Sequence, residues 1–272
     1  ELKGAGISEN VCYIPHGVSG DYRPLDRAEC KRAFYLDPDE FVVLVVAMNR
    51  VRKMIPRQLR IYKRFRELNP DVKGHLFLWT NVQPEVSPEG AVTMGVSDAG
   101  VNLLPEIMEL GMGEMVRFPA VDDYRRGLPE TAEAGQDMVK LYNAADVVLL
   151  CSGGEGAGMP LLEGAACGVP GVTTDYAAGP EYVGPGLTVP WREYDIINTP
   201  GTRFAMADVD RGAEALTRIL NADREKLSRK CRAFAERYTW ERIMQDYWRP
   251  FLDSCEVELR PRITGEGVRT WA

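Results

Sequence analysis

Histidine is nearly missing from this chain: two residues, His16 and His75, in 272. That scarcity leaves few candidates for acid–base chemistry built on imidazole. The six cysteines, Cys12, Cys30, Cys151, Cys167, Cys231 and Cys255, show no CxxC or CxH spacing and mostly sit inside apolar runs. They read as buried free thiols in a reducing compartment, with no zinc site. There is no dense Lys/Arg run, and 33 basic residues face 40 acidic ones for a net charge of −7. This argues against nucleic acid or an anionic membrane as the main partner. No apolar run reaches the ~18 residues that a membrane span needs. Internal repeats, low-complexity segments and a signal peptide are also missing, so the expected location is cytoplasmic. The opening ELKGAGISEN has no initiator Met and reads as the interior of something longer.

What is present is apolar and well patterned. About 45% of the residues are hydrophobic, and the length suits one large α/β domain with a C-terminal appendage, on a prior of roughly 150 residues per domain. Short β-rich runs alternate with segments of helical period, the mark of βαβ units. VCYIP, FVVLVVAM, HLFLW, MVRFP, DVVLLCS and GVTT are the strand candidates, and residues 57–68, 102–110 and 136–145 are crossover helices. Continuous apolar strands mean that both sheet faces are covered. The predicted fold is therefore a Rossmann-like, doubly wound parallel sheet, whose ligands bind at the C-terminal ends of the strands. Helices follow over 209–220, 223–237 and 240–252. The expected division is 1–207 for the sheet domain, 208–252 for helices packing on it, and 253–272 for an irregular tail.

The most informative stretch is GGEGAGMPLLEGAACGVP, residues 153–170, directly after DVVLLCS. Pro160 suits the first helical position and Gly168 the residue just past a helix end, so 160–167 should form a short helix. Its N-terminus faces the strand's C-terminal edge. Gly153, Gly154, Gly156 and Gly158 allow close backbone approach, and the first-turn amides with the helix dipole favour a phosphate. Glu163, read as lying in the first helical turn, would repel that phosphate and must address a neutral group; a carboxylate suits a vicinal diol such as a ribose. Glu155, on the loop, suits a second polyol. Ribose, diphosphate and sugar follow one another in this order in a nucleotide sugar.

Together with VCYIPHGVSGDYRP near the start, LYNAADVVLLCSGGEGAGMPLLEGAACGVPGVTTD in the middle and a Trp-containing closing helix, these residues resemble the C-terminal donor-binding half of the GT-B glycosyltransferases of family four, over roughly residues 8–250. The resemblance implies that Glu155 contacts the donor sugar, that Glu163 contacts the ribose diol, and that backbone amides from Met159 through Pro160 and Leu161 to Leu162 hold the phosphates. It also implies a retaining reaction without a metal, a UDP- or GDP-sugar donor, a backbone contact near Phe118 to the base, and an N-terminal acceptor-binding domain as partner. Two positions depart from the pattern. Ala157 stands where the family usually has Phe, and Met48-Asn49 stand where a Gly-Arg pair falls. Lys53 matches the family lysine, and Arg50 or Arg52, with Arg52 favoured, supplies the missing cation. The need for cations is independent of the resemblance: a departing nucleoside diphosphate gains negative charge that, without a metal, only Arg, Lys and amides can offset.

Other candidates read as structural. Asp208 to Asp210 imitate a metal-binding DxD but are expected to begin a helix; Asp122 and Asp123 are expected in a loop, His16 in a turn and His75 at a strand edge. Trp240, Trp248, Tyr238 and Tyr247 are expected to pack helices. Thr80, Asn81 and Arg117 to Pro119 end strands and should border the nucleotide. The sequence thus points to a glycosyltransferase with no cofactor. The alternatives are a nucleotide-sugar epimerase or hydrolase on the same fold, or a non-catalytic nucleotide-sugar-binding module. An apolar strip on residues 223–252 would also support homo-oligomers.

Overall fold

The computed structural model describes residues 11–83, 100–133, 135–196 and 203–263. The chain forms two compact units, one of Asp21–Glu236 and one of Glu1–Gly20 with Arg237–Ala272. In the larger unit, chain order runs α1 (Arg27–Ala33), β1 (Phe41–Val46), a 3-10 turn (Val51–Lys53), α2 (Ile55–Leu68), β2 (Gly74–Trp79), α3 (Leu104–Glu109), β3 (Val116–Arg117), α4 (Val121–Arg126), α5 (Met138–Ala144), β4 (Val147–Leu150), α6 (Met159–Ala166), β5 (Gly171–Thr174), α7 (Gly179–Tyr182), β6 (Leu187–Val189), β7 (Trp191–Ile196), β8 (Arg203–Ala207), α8 (Val209–Leu220) and α9 (Arg224–Ala235).

Six strands pair in the order β3-β2-β1-β4-β5-β6, and every pairing is parallel. This is a doubly wound, Rossmann-like sheet, as the continuous apolar strands predict. Val43, Leu44 and Val45 are all fully buried although successive residues point to opposite faces, so helices cover both. Packing pairs α2 with α8, α1 with α5 and α6 with α9. The strand order reverses between β1 and β4, the topological switch point at which such sheets bind ligands.

The strands called FVVLVVAM, HLFLW, DVVLLCS and GVTT become β1, β2, β4 and β5. MVRFP contributes only the two residues of β3. Residues 11–15 form no strand. Pro15 offers no N–H to a ladder, and pairing in this segment is reduced to an isolated bridge between Val18 and Thr239. Asp122 and Asp123 lie not in a loop but in the first turn of α4, paired with Arg125 and Arg126. Asp208 caps α8: its carboxylate accepts the Arg211 N–H at 3.1 Å and pairs with Arg192, so the DxD look-alike is a helix start. His75 sits in β2 with its Nδ1 3.1 Å from the Glu40 carboxylate. An antiparallel ribbon, β7–β8, was not foreseen.

The smaller unit holds α10 (Trp240–Ile243), a π turn (Met244–Trp248) and α11 (Arg249–Ile263). The helix thus continues where an irregular tail was expected from residue 253. Trp240 packs over Gly17, where a Cβ would come within 2.5 Å of the indole, and Tyr13 meets Tyr247 edge-on at 6.5 Å. Trp240, Met244, Tyr247, Leu252 and Val257 nonetheless remain exposed.

Candidate functional site

The segment after β1 and the loop after β4 meet at the switch point, and specific bonds fix their approach. The 3-10 turn Val51–Lys53 ends at Met54, whose φ of 49° turns the chain into α2. The Gly153 N–H donates to Arg52 O at 2.8 Å, tying that turn to the glycine loop, and Gln58, buried in α2, donates to Lys53 O at 2.8 Å. Lys53 is thereby held under the loop. Its ammonium donates to both oxygens of Glu155 at 2.7 and 2.9 Å. Arg52 reaches the same carboxylate at 3.3 Å and Gly154 O at 3.3 Å. The Glu155 side chain is only 7% exposed and that of Lys53 10%, against 40% for Arg52. The two residues expected to carry the reaction's cations therefore converge on one of the two carboxylates.

Gly158 starts α6 in the left-handed region, φ 70°, which a side chain would strain. The helix begins at Met159, so Pro160 is its second residue and Glu163 lies past the first turn rather than in it. The like-charge conflict expected with a phosphate at the helix start is correspondingly weaker. That start also offers fewer amides than expected: Pro160 has none, and the Leu161 N–H already donates to Gly158 O. The Leu161 and Leu162 side chains are core residues. Gly156 lies in the loop, and nothing stands within 4 Å of where its Cβ would be.

Glu163 is half-buried, and its carboxylate accepts a hydrogen bond from the Tyr142 hydroxyl. Burial pushes the Glu163 carboxyl above the usual range, and the Tyr142 bond acts in the opposite direction. Burial, and then the Glu163 charge, hold the Tyr142 phenol well above its usual value. A cleft of about 430 Å³ opens here, lined among others by Arg52, Lys53, Glu163, Tyr22, Trp79 and Tyr124.

Other expected residues stand apart from this cleft. Arg50 occupies the position before the 3-10 turn, and its side chain makes no bond to the turn's amides. Thr80 is buried, and its hydroxyl finds no hydrogen-bond partner among the described residues. Asn81 O accepts from the Asn49 amide, which also donates to Val101 O, so Asn49 fastens a loop where the family pattern has a cation. Phe118 is 39% exposed and does not line the cleft. Sequence reasoning missed Tyr22, Trp79 and Tyr124, which line the cleft, and Tyr142, which reaches Glu163 from the predicted helix 136–145. Tyr142 is fully buried, so its hydroxyl needs a partner inside the fold, and only the structure shows that the partner is Glu163. Among the described residues, no group of three or more His, Cys, Asp or Glu side chains is arranged to hold a metal ion, and no helix is long and apolar enough to cross a membrane.

The family described as Glycosyl transferases group 1 matches residues 65–222. A D-inositol 3-phosphate glycosyltransferase from Actinosynnema mirum is 28% identical over 242 residues, covering 86% of this chain and 50% of that protein. Anabaena HepE, solved in complex with UDP, aligns with a TM-score of 0.63 at 19% identity, covering 93% of this chain and 60% of that one. The C-terminal domain of a glycosyl transferase group 1 family protein from Francisella tularensis aligns with a TM-score of 0.56 at 16% identity, covering 82% of this chain and all of that domain. At these identities the structural likenesses establish the fold. The chain spans about half the length of the curated relatives it matches.

Proposed function

The chain belongs to the glycosyl transferases group 1 family, and from that premise we propose that it is the donor-binding half of a retaining, metal-independent glycosyltransferase using a UDP-sugar. The observation that carries this reading is the convergence of Lys53 and Arg52 on Glu155 beside a cleft that Glu163 lines from α6. Cations, a buried carboxylate on the loop and a second carboxylate within α6 suit a diphosphate, a sugar and a ribose in sequence. UDP is favoured because the Anabaena neighbour was solved with it. The names of the curated relatives support transfer over epimerisation or hydrolysis.

In this reading the bond between the anomeric carbon and the diphosphate oxygen breaks, and the electron pair leaves with the nucleoside diphosphate. Lys53 and Arg52 offset that charge, which is greater in the transition state than in the bound donor. Glu155 accepts hydrogen bonds from sugar hydroxyls and Glu163 from the ribose. The acceptor, held by an N-terminal domain, bonds through its hydroxyl oxygen to the anomeric carbon while its proton passes to the departing diphosphate, and the protein works in the cytoplasm.

A thermal-shift screen of UDP, GDP, ADP and their sugars tests the donor site. A ligand at 100 times its Kd should stabilise by about 2.7 kcal/mol, and UDP with its sugars should give the largest shift. Absence of a shift with every nucleotide would rule out the site.

A further inference from the structure

Tyr142 lies on α5, outside the sequence that carries the two carboxylates, and its ring is fully buried. Its hydroxyl, still buried, donates to Glu163 Oε2. Tyr22, which lines the cleft, packs edge-on against it with centroids 5.7 Å apart and planes at 71°. With one lone pair of Oε2 committed to Tyr142, Glu163 keeps Oε1 and the second lone pair of Oε2 for other donors, which matches the two hydroxyls of a vicinal diol.

We propose that Tyr142 is a positioning residue for nucleotide recognition: its core-anchored hydroxyl aims the Glu163 carboxylate so that the remaining lone pairs face the ribose diol. The inference rests on the donor-site reading of Glu163. A phenol held well above its usual range by burial and by the Glu163 charge is a donor at every working pH. Its bond draws the Glu163 carboxyl down against the upward push of burial and of Glu130. The other ionisable groups facing this pair are Tyr22 and Cys167, with Lys53 and Arg52 lining the same cleft. Tyr142 therefore favours the ionised, diol-accepting form of Glu163 as well as its direction.

The test measures binding of UDP and 2′-deoxy-UDP by calorimetry across pH for wild type, Tyr142→Phe and Glu163→Ala, with circular dichroism and thermal midpoints to confirm folding. Tyr142→Phe should weaken UDP about tenfold, the low end for a hydrogen bond to a charged group, and change 2′-deoxy-UDP much less. Its loss of affinity on acidification should begin at higher pH than in wild type. A chain carrying 3-fluorotyrosine at position 142, a stronger donor of the same shape, should move that limb to lower pH, and it serves if the Phe variant does not fold. If Glu163→Ala binds UDP like wild type, the ribose reading fails and the positioning role with it. If Glu163→Ala loses affinity while Tyr142→Phe keeps the wild-type ribose preference and pH limb, the positioning role alone is overturned. Equal loss of both nucleotides in Tyr142→Phe with an unmoved limb would mark Tyr142 as packing only, which also overturns it.

Discussion

Glu155 holds Lys53 and Arg52 at the same time, so a diphosphate that recruits those cations competes with a carboxylate already touching them. A donor sugar offsets that competition by giving Glu155 hydroxyls to bind; a bare nucleoside diphosphate does not. Glu155→Ala should therefore tighten UDP by a few-fold while weakening a UDP-sugar by about 1.5 to 3 kcal/mol, the range for hydrogen bonds to a charged group. Parallel calorimetric titrations would show it, and equal losses for both ligands would refute the assignment. Glu163 gives a second prediction, in pH. Its carboxyl is raised by burial, so the folded state holds that proton more tightly than the unfolded chain does. This group adds stability below the ordinary carboxylate pKa and loses it as pH rises through the raised value. Nucleotide binding, which needs the ionised form, runs the other way: the thermal shift produced by UDP should shrink on acidification, starting above the ordinary Glu value of about 4.3. An undiminished shift down to that value would contradict it. The sequence singles out both carboxylates by the glycines and helix-starting proline around them and Lys53 by the family resemblance, and the structure joins Lys53 to Glu155 and sets it in one cleft with Glu163. Tyr142 and Tyr22 were not, because a buried hydroxyl's partner is a tertiary fact. The strand-end rule also points to Thr80 and Phe118, neither of which lines the cleft, since it says which edge is used and not which side chains face the cleft.

The elements bracing the site are set by two features of opposite legibility. The β7–β8 ribbon docks on the glycine loop: the Ala205 N–H donates to Gly153 O at 3.0 Å, and a Cβ on Gly153 would come within 2.7 Å of Phe204 Cβ. The Tyr176 hydroxyl, 3.4 Å from Arg203 O, adds a second brace. Gly153→Val must displace either the ribbon or the loop that carries Glu155, so it should lower affinity for a UDP-sugar more than for UDP while far-UV dichroism is retained. A variant binding both like wild type would show that the ribbon does not set the loop. WREYDI lacks a continuous apolar run, which is why the ribbon escaped a search for parallel strands, whereas β1 and β4 are apolar throughout and β2 and β5 carry enough β-forming residues to be read directly. At the N-terminal ends of the central strands, Asp146 precedes β4, accepts the Val42 N–H at 2.9 Å and pairs with Arg27 at 3.0 Å, Lys31 at 3.2 Å and Arg224. Lys31 is 1% exposed, so Asp146→Ala leaves a buried ammonium without its carboxylate. The expected loss is about 3 to 5 kcal/mol, read as a lowered urea midpoint, with the nucleotide affinity of the folded protein unchanged. A loss under about 1 kcal/mol would mean that the backbone carbonyls of Pro38 and Glu40, which Lys31 also contacts, suffice.

For the molecule as a whole, the relevant fact is that the chain spans about half the length of its curated relatives. Recognition of the donor is a local matter, and the residues proposed for it all lie within one compact unit, Asp21–Glu236. Transfer is different in kind, since it requires a second reactant held against the anomeric carbon. Holding two reactants in place contributes up to about 7 to 11 kcal/mol to an enzymatic rate, and enclosing the site keeps water from the activated sugar. If the acceptor is positioned by sequence outside these 272 residues, the donor site keeps its affinity and loses that gain. The purified chain should therefore bind UDP and a UDP-sugar with full stoichiometry, release free sugar only slowly, and transfer negligibly to any acceptor. Adding the N-terminal half of a relative in trans should raise transfer without a comparable change in UDP affinity. The measurement is a product assay by mass spectrometry over an acceptor panel, run beside the calorimetry on the same preparation. Robust transfer by the chain alone would show that these residues hold the acceptor as well, and would move the search for its binding groups to the exposed surface around Glu155 and Met48, the latter 59% exposed at the end of β1.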